Sequence, residues 1–469
     1  MTSLQWGGRF ANAPDDELLR FGSSLDEDLV LAPFDVACSL AHVEALLGGS
    51  VVDDAKAATL TAALRAVAAE IADGTFATHA RATPFEDVHG AIDARVRELA
   101  GSTGDWLHAA RSRNDQVATT LMLYVRDRAK RAGKASLAVA TSIIGHAREE
   151  LERKSVVAGT THRQPAQPVL LAFVLAAWSE PFTRAAQRCI LVASDSCCFS
   201  PLGSAALAGS TLPLDRNRAA KALDFVAPSR NALDSISNRD AVLDLAHACV
   251  RAVVDASRVA EELIAWSAPA YGYVRLGDEA STGSSLMPQK RNPDTLELVR
   301  ARAAKLVGAY AGALGTLCGL APSYQRDLQE TKAQGIAIAE DALATLEAFA
   351  RAWKTIAFAR DRMSATALDG YTVATDIADA LIAHGTSARV AHGLVGAVVA
   401  QAELEHRPLG AADLARLARQ TGVEKLQAPL DAPASIAAKR TCGSTAPGDV
   451  RNQIASIEDE LARLREALS

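Results

Sequence analysis

The sequence predicts an all-α protein built around long helices. Alanine is abundant and aromatic residues make up only 5% of the chain, and alanine loses no side-chain entropy in a helix, so the composition favours closely packed helices. Apolar residues recur at helical spacing over long stretches with few interruptions, and no stretch shows convincing strand alternation. Helices are predicted at residues 33–47, 51–71, 86–100, 116–132, 135–154, 167–193, 240–266, 293–317 and 331–359.

The helix pattern divides the chain into three predicted domains. An N-terminal helical domain covers residues 1–112, a central domain of long helices covers 113–362, and a small C-terminal helical domain covers 363–469. Several central helices carry apolar side chains on more than one face, so each needs several other helices to pack against. One chain offers few such partners, and we therefore expect the central bundle to assemble between subunits.

Charge and composition exclude several classes of function. The formal net charge of −6 and the isoelectric point near 6.0 leave no broad basic surface for nucleic acid, so an anionic ligand must be held by a local group of cations and amides. The seven cysteines contain no Cys-x-x-Cys spacing and the ten histidines no His-x-x-x-His spacing, which predicts reduced cysteines and no metal site. No signal pattern and no run of 18 apolar residues occurs. We therefore expect a cytoplasmic protein without a membrane partner.

Three polar segments interrupt the predicted helices, and catalytic groups usually lie on such loops. The first, residues 283–293, reads GSSLMPQKRNP and carries two hydroxyls, Ser284 and Ser285. Its final proline suits the first turn of the helix that follows. Lys290 and Asn292 are thereby placed near the positive helix end, where a carboxylate would bind. Two serines alone would more often serve to cap that helix.

The other two segments carry an arginine and a histidine. Residues 107–119 read LHAARSRNDQVAT; here Arg113 can bind a carboxylate through two parallel hydrogen bonds, and Asn114 adds an amide donor. Residues 159–168 read GTTHRQPAQP and contain His162. Each segment alone also fits a structural role, as a solvated helix start or as a histidine that only packs.

Together these segments resemble the motifs of the fumarase/aspartase superfamily, whose members release fumarate from a succinyl group. The string at 283–293 is similar to the superfamily signature. Gln289 and the run RSRNDQ at 111–116 are similar to the argininosuccinate lyase branch in particular. Further motifs occur in the same order, including WGGRF at 6–10 and YQRDLQETK at 324–332.

The chain departs from the family pattern at a few positions. Alanines replace the usual Thr-Gly pair, threonine replaces tyrosine, arginine replaces leucine, and glutamine and threonine replace asparagine and aspartate. In this order the positions are Ala109, Ala110, Thr160, Arg163, Gln325 and Thr331.

The resemblance implies cleavage of argininosuccinate to arginine and fumarate, without a cofactor or metal, by a homotetramer whose active sites are shared between subunits. It implies that Ser284 removes a proton from the succinyl group and that His162 protonates the departing guanidino nitrogen. Lys290 would stabilise the anions that form, and Glu297 would pair with the histidine. From its position alone, Glu297 also fits a surface pair with Arg300.

The resemblance also implies which residues bind the rest of the substrate. The expected contacts are Ser24, Asp28, Arg113, Asn114, Thr161, Asn292, Tyr324, Gln329 and Lys332. His89 is expected to support the site, and Arg239 and Asp240 to form a structural pair near it.

Two other functions remain open from the sequence. A sister lyase would release fumarate from adenylosuccinate, malate or aspartate, but Gln289 and the motif at 111–116 argue against it. A non-catalytic, crystallin-like homologue would keep the helical tetramer without activity, and the departures favour that alternative. The joint presence of the four predicted catalytic residues argues for an enzyme.

Overall fold

A computed structural model describes residues 15–469, so the motif at 6–10 lies outside the described residues. Most of the described chain is helical, and the predicted all-α class is confirmed. The helices are α1 (Asp16–Gly22), α2 (Leu25–Asp28), α3 (Ala32–Gly48), α4 (Asp54–Asp73), α5 (Thr75–Arg81), α6 (Val88–Ala100), α7 (Arg113–Arg153), α8 (Leu171–Leu191), α9 (Arg216–Ala222), α10 (Ala232–Ser237), α11 (Asp240–Ser267), α12 (Asp294–Leu317), α13 (Leu328–Trp353), α14 (Arg360–Thr366), α15 (Ala374–Ala383), α16 (Ala388–Leu404), α17 (Ala411–Thr421), α18 (Ala432–Ala437) and α19 (Pro447–Ala467).

Short strands and tight helical turns join these helices. The strands are β1 (Val156–Thr161), β2 (Gln164–Leu170), β3 (Phe199–Ser200), β4 (Ala227–Pro228), β5 (Val274–Arg275) and β6 (Ala357–Phe358), paired β1 with β2, β3 with β4 and β5 with β6. The 3-10 turns are Leu29–Leu31, Gly101–His108 and Asp278–Ala280, and a π-helical turn covers Val192–Ser196.

Most predicted helices end within a few residues of the observed ends, and three predictions need correction. The helices predicted at 116–132 and 135–154 are the single helix α7, because the glycine at the predicted break, Gly133, costs only about 1 kcal/mol in an otherwise favourable helix. The prediction of a helix from residue 167 was wrong at its start, since residues up to 170 form β2; Pro165 and Pro168 favour extended backbone there. The last long helix ends at Trp353 rather than near residue 359.

The described chain forms two compact units, each of them discontinuous in sequence. Unit 1 comprises residues up to 133, 187–251 and 303–344, and unit 2 comprises 134–186, 252–302 and 345–469. The three contiguous domains read from the sequence remain a prediction.

In unit 1, long helices approach each other closely. Tyr124 on α7 donates a hydrogen bond to Glu340 on α13 at 3.0 Å. Gly335 on α13 faces Val242 on α11, and a Cβ atom at this glycine would lie 2.3 Å from Cγ1 of the valine. The absence of a side chain at Gly335 therefore sets how closely these two helices pack.

In unit 2, aromatic side chains fill the space between the helices. Trp178 on α8 lies 5.1 Å from Trp266 on α11 and 6.2 Å from Trp353 on α13, measured between ring centroids. The β1–β2 hairpin packs against α14 and α18, and the backbone N–H of Leu170 donates to Thr445 Oγ1 at 2.8 Å. The base of this hairpin is therefore fixed by the C-terminal part of the unit.

The stretch Asp16–Gly48 is long and apolar enough to cross a membrane by composition alone. In the structure it is divided into α1, α2, a 3-10 turn and α3 rather than forming one helix. Of its most apolar window, 61% is buried inside the protein, as in a helix that belongs to a core.

We predict that Gly335→Ala destabilises the protein. Alanine favours a helix by about 1 kcal/mol over glycine, but the new methyl group would overlap Val242, a buried side chain whose β-branching restricts its rotamers. Overpacking of this kind costs about 1–3 kcal/mol, so the free energy of unfolding should fall in thermal or denaturant melts. Gly396→Ala is the control, because this exposed glycine in α16 has open space around it; its stability should rise slightly. An equal rise for both variants would contradict the tight contact.

Candidate active site

A cavity of about 490 Å³, lined mostly by polar and charged residues, lies in unit 1. Six of the residues predicted to bind substrate line it, although they come from widely separated parts of the sequence. They are Ser24, Arg113, Asn114, Tyr324, Gln329 and Lys332. The fold therefore brings together side chains from three segments of the chain, which the sequence had linked only through their motifs.

A buried ion pair fixes two of these residues. Lys332 Nζ lies 2.5 Å from Asp28 Oδ1 and donates to Ser24 Oγ at 3.1 Å. Ser24 Oγ in turn donates to Asp28 Oδ2 at 2.6 Å. All three side chains are almost completely buried, so each holds the others in place. Asp28, predicted as a substrate contact, orients two lining residues.

Arg113 lines the cavity and is oriented by contacts with Asp87 and Gln116. Its Nε lies 3.0 Å from Asp87 Oδ2 and its Nη1 donates to Gln116 Oε1 at 2.7 Å. Burial acts to raise the pKa of Asp87, but the charges of Arg113 and His89 and a hydrogen bond from the Gly90 amide outweigh it, so the pKa lies below its ordinary value. The carboxylate thus stays charged and keeps the guanidinium oriented.

A second buried carboxylate orients Gln116. Asp35 Oδ1 accepts a hydrogen bond from Gln116 Nε2 at 2.7 Å and lies 2.8 Å from His89 Nδ1. Burial opposes ionisation of Asp35, yet the neighbouring His89 and Arg111 and the hydrogen bond from Gln116 hold its pKa at about 2. His89 is fully buried. It lies behind Arg113, at the end of the contacts that run from Arg113 through Gln116 and Asp35, and not on the cavity wall.

The first turn of α7 is fixed to a neighbouring loop by its next two residues. Asn114 Nδ2 donates to the carbonyl of Ala206 at 2.9 Å. Asp115 Oδ2 accepts the amides of Gly203 and Ala205, each at 2.9 Å, while its Oδ1 accepts the Ser112 amide at 3.0 Å. Burial nevertheless raises the pKa of Asp115 to about 6.

The cavity also contains charged residues that were not assigned to it from the sequence. Arg239 is buried in its wall, with a pKa lowered to about 10 by burial, and its Nε has no hydrogen-bond partner among the described residues. The predicted pairing of Arg239 with Asp240 was wrong, because Asp240 Oδ2 accepts a hydrogen bond from Asn238 instead. Arg326 and His108 also line the cavity; burial and the nearby Arg111 lower the pKa of His108 to about 4.

Sequence signals for these residues existed but were weak. Arg239 directly precedes a long helix, and Arg326 lies inside the motif at 324–332. Both positions are also common for exposed structural arginines, so only the fold distinguishes the two cases.

Thr161 and His162 lie on unit 2, at the tip of the β1–β2 hairpin. Thr161 pairs with Gln164, so His162 and Arg163 form a two-residue turn, with φ angles of 53° and 60°. Two positive φ angles are typical of a type I′ turn, in which asparagine and glycine are favoured. The side chain of His162 is exposed, and its backbone is strained by the positive φ angle.

Ser284 also lies on unit 2, in a loop closed by a bridge between Thr282 and Asn292. Its Oγ accepts backbone N–H groups from Leu286 at 3.3 Å and Met287 at 3.1 Å. Such donors stabilise negative charge on an oxygen, which is what a serine acting as a base requires. Asn292 Nδ2 donates to the carbonyl of Gly283 at 3.4 Å.

Lys290 is exposed on this loop, and Glu297 is exposed on the first turn of α12. The alternative partner considered for Glu297 was Arg300, but Arg300 Nη1 pairs with Glu261. The simple surface pair between Glu297 and Arg300 is therefore not formed. The roles assigned to Lys290 and Glu297 remain predictions.

Comparison with known proteins shows the family. The lyase family pattern matches residues 8–308, and the pattern described as argininosuccinate lyase C-terminal matches 371–437. The argininosuccinate lyase of Mycolicibacterium vanbaalenii is 39% identical over 473 residues, covering 99% of this chain and 98% of its own length. That of Nocardia farcinica is also 39% identical, covering 97% and 96%. The chain belongs to the argininosuccinate lyase family.

Solved structures support the same fold beyond this family. EDDS lyase in complex with formate has a TM-score of 0.80 at 25% identity, covering 98% of this chain and 92% of its own. Class II fumarase from Schistosoma mansoni has a TM-score of 0.69 at 15% identity, covering 89% and 90%. The all-α architecture is therefore shared with other lyases.

One departure from the argininosuccinate lyase motif affects the backbone beside Arg113. The chain has Ala110 where the family motif has glycine, and Ala110 has a φ of 56°, in the left-handed region that favours glycine. The turn is held by His42 Nε2, which lies 2.9 Å from the Ala109 carbonyl oxygen. The chain thus forms this turn with a residue that is strained in it.

We predict that Ala110→Gly stabilises the protein. The left-handed conformation costs about 1 kcal/mol or more for an L-residue, and glycine removes this cost but loses more entropy on folding. The free energy of unfolding should rise by up to about 1 kcal/mol, measured by denaturant melts. Ala68→Gly, at an exposed position inside α4, is the control and should lower stability by about 1 kcal/mol. Equal losses in both variants would show that position 110 is not strained.

Proposed function

We propose that this protein cleaves argininosuccinate to arginine and fumarate. The observation that carries the proposal is the convergence of six predicted substrate contacts, from three separate segments, on one cavity of unit 1. Full-length similarity to argininosuccinate lyases at 39% identity supports this substrate over those of the sister lyases.

The cavity has the charge that such a substrate needs. Four cationic side chains line it, Arg113, Arg239, Arg326 and Lys332, of which all but Arg239 pair with a carboxylate. Argininosuccinate carries three carboxylates, and arginine side chains bind carboxylates through paired hydrogen bonds. The buried Arg239, which lacks a carboxylate partner among the described side chains, is suited to receive one of them.

We assign the chemistry to residues of unit 2. Ser284, as its alkoxide, takes a proton from the carbon next to a succinyl carboxylate, and that carboxylate holds the resulting charge as an aci-carboxylate. The electron pair then forms the C=C bond of fumarate while the C–N bond breaks, and His162 gives a proton to the departing guanidino nitrogen. The amides of Leu286 and Met287 stabilise the alkoxide, and Lys290 adds positive charge.

We further propose that the working enzyme is a cytoplasmic homotetramer in which several copies build each active site. His162 is exposed at a hairpin tip, and Leu286, two residues after the proposed base, is 84% exposed. The carbanion formed by proton removal must be shielded from protonation by water, and further copies of this chain would cover both groups.

The direct test is incubation of the purified protein with argininosuccinate, with arginine and fumarate measured together. Equal amounts of both products are expected. Fumarate from adenylosuccinate, malate or aspartate but not from argininosuccinate would favour a sister lyase. No product from any of these substrates would favour the crystallin-like alternative.

The catalytic assignment predicts that Ser284→Ala and His162→Asn each lower kcat by a factor of about 10² to 10⁴, because each removes a proton-transfer group. Asparagine tolerates a positive φ, so the hairpin turn should persist. His406→Asn is the control, since His406 is likewise exposed and has a φ of 49°; its activity should be unchanged. Near-normal turnover by either site variant would refute that residue's role.

Sharing of active sites predicts complementation between two inactive variants. When Arg113→Ala and His162→Asn subunits are dissociated, mixed equally and reassembled, a site that takes these residues from different copies is intact in about a quarter of cases (½ × ½). Activity should return to about that fraction. No recovery, with mixed tetramers shown by mass spectrometry, would place both residues of a site in the same copy.

A further inference from the structure

Two arginines in unit 2 share a single carboxylate. Arg163 Nη2 donates to Glu261 Oε1 at 2.7 Å, while Arg300 Nη1 pairs with the other oxygen, Oε2. Glu261 lies on α11, Arg163 at the tip of the β1–β2 hairpin and Arg300 on α12. The pKa of Glu261 is lowered by hydrogen bonds from Arg300 and Arg163. Its carboxylate thus connects three separate elements.

Each arginine lies close in sequence to a residue with a proposed catalytic role. Arg163 directly follows His162 in the two-residue turn, and Arg300 lies three residues after Glu297, about one turn further along α12. The hairpin base is fixed by the contact with Thr445, but its tip has two left-handed residues and an exposed histidine. Backbone pairing ends at Thr161 and Gln164, so only His162 and Arg163 lie beyond it, and side-chain contacts hold their position.

We propose that Glu261 is a positioning residue for the elimination reaction. It holds the hairpin tip, which carries His162, in a fixed position relative to the first turns of α12. The inference rests on the proposed function, because it assigns His162 as the general acid. Arg163 supplies the contact from the hairpin, and Arg300 fixes the carboxylate from the other side. Glu261 acts through these residues and does not touch the reacting atoms.

The contact between Arg163 and Glu261 depends on a departure from the family motif. Arg163 stands where the family motif has leucine, which cannot pair with a carboxylate. Arginine and leucine are both unfavourable at a positive φ, so the replacement does not relieve the turn. What it adds is a charged contact at the tip, and catalytic geometry is sensitive to displacements of about 1 Å.

The expected size of the effect follows from exposure. The side chains of Arg163, Glu261 and Arg300 are 59%, 36% and 48% exposed, and exposed ion pairs are weak and screened by salt. Their loss should lower kcat about two- to fivefold while leaving KM nearly unchanged, because the substrate contacts of the cavity wall are unaffected. A merely structural ion pair would change stability without this separation of kcat from KM.

The test is a double-mutant cycle with Arg163→Leu, Glu261→Gln and the double variant, assayed with argininosuccinate at low and high salt. Both single variants should lose kcat at low salt, less at high salt, and the double variant should lose no more than the larger single loss. Arg148→Leu, which breaks an exposed pair with Glu458 in the same unit, is the matched control and should keep its kcat. Arg163→Lys, which preserves the charge, should recover part of the loss.

Two results would overturn the inference: wild-type kcat at low salt in Arg163→Leu and Glu261→Gln, or strictly additive losses in the double variant. The proposed function fails separately, if the wild-type protein releases no fumarate from argininosuccinate, and the role of His162 fails if His162→Asn remains active. An active wild type with an inactive His162→Asn variant and no effect of the cycle would therefore reject Glu261 alone.

Discussion

The first turn of α7 is the constraint on which the cavity depends. Consecutive side chains of a helix point about 100° apart, so Arg113, Asn114, Asp115 and Gln116 point in four directions. Arg113 faces the cavity and Asp87, and Asn114 and Asp115 bind the loop at 203–206. Gln116 binds Asp35 on α3. One helical turn thus connects three other segments, and its backbone cannot shift without breaking several buried contacts.

The electrostatics of unit 1 follow from this arrangement. Buried carboxylates such as Asp28 and Asp35 would be costly in isolation. The donors to Asp28, Ser24 and Lys332, line the cavity, whereas Gln116, a donor to Asp35, accepts a hydrogen bond from the lining residue Arg113. The same groups that satisfy these charges therefore fix Lys332 and Arg113. The contacts that satisfy the buried charges also keep the binding surface rigid. A rigid surface of this kind suits recognition of a polyanionic substrate.

The sequence predicted the helical class well, because long helices carry a strong periodic signal. It missed the β1–β2 hairpin, whose two prolines and short length give no clear alternation, and this error concerned the element that carries His162. The motifs identified six residues of the cavity, whereas Arg239 was assigned to the wrong partner. Whether an arginine is buried beside a cavity depends on packing between segments far apart in sequence, and neither composition nor local pattern contains that information.

The contact between Gly335 and Val242 has a consequence for how this protein can change over evolution. Because Cγ1 of the valine occupies the space where a Cβ of residue 335 would lie, the two positions are not free to vary independently. A larger residue at 335 becomes acceptable only in a background where residue 242 has already lost a methyl group. Homologous sequences should therefore show the two positions changing together, in compensating sizes, although they are 93 residues apart in the chain.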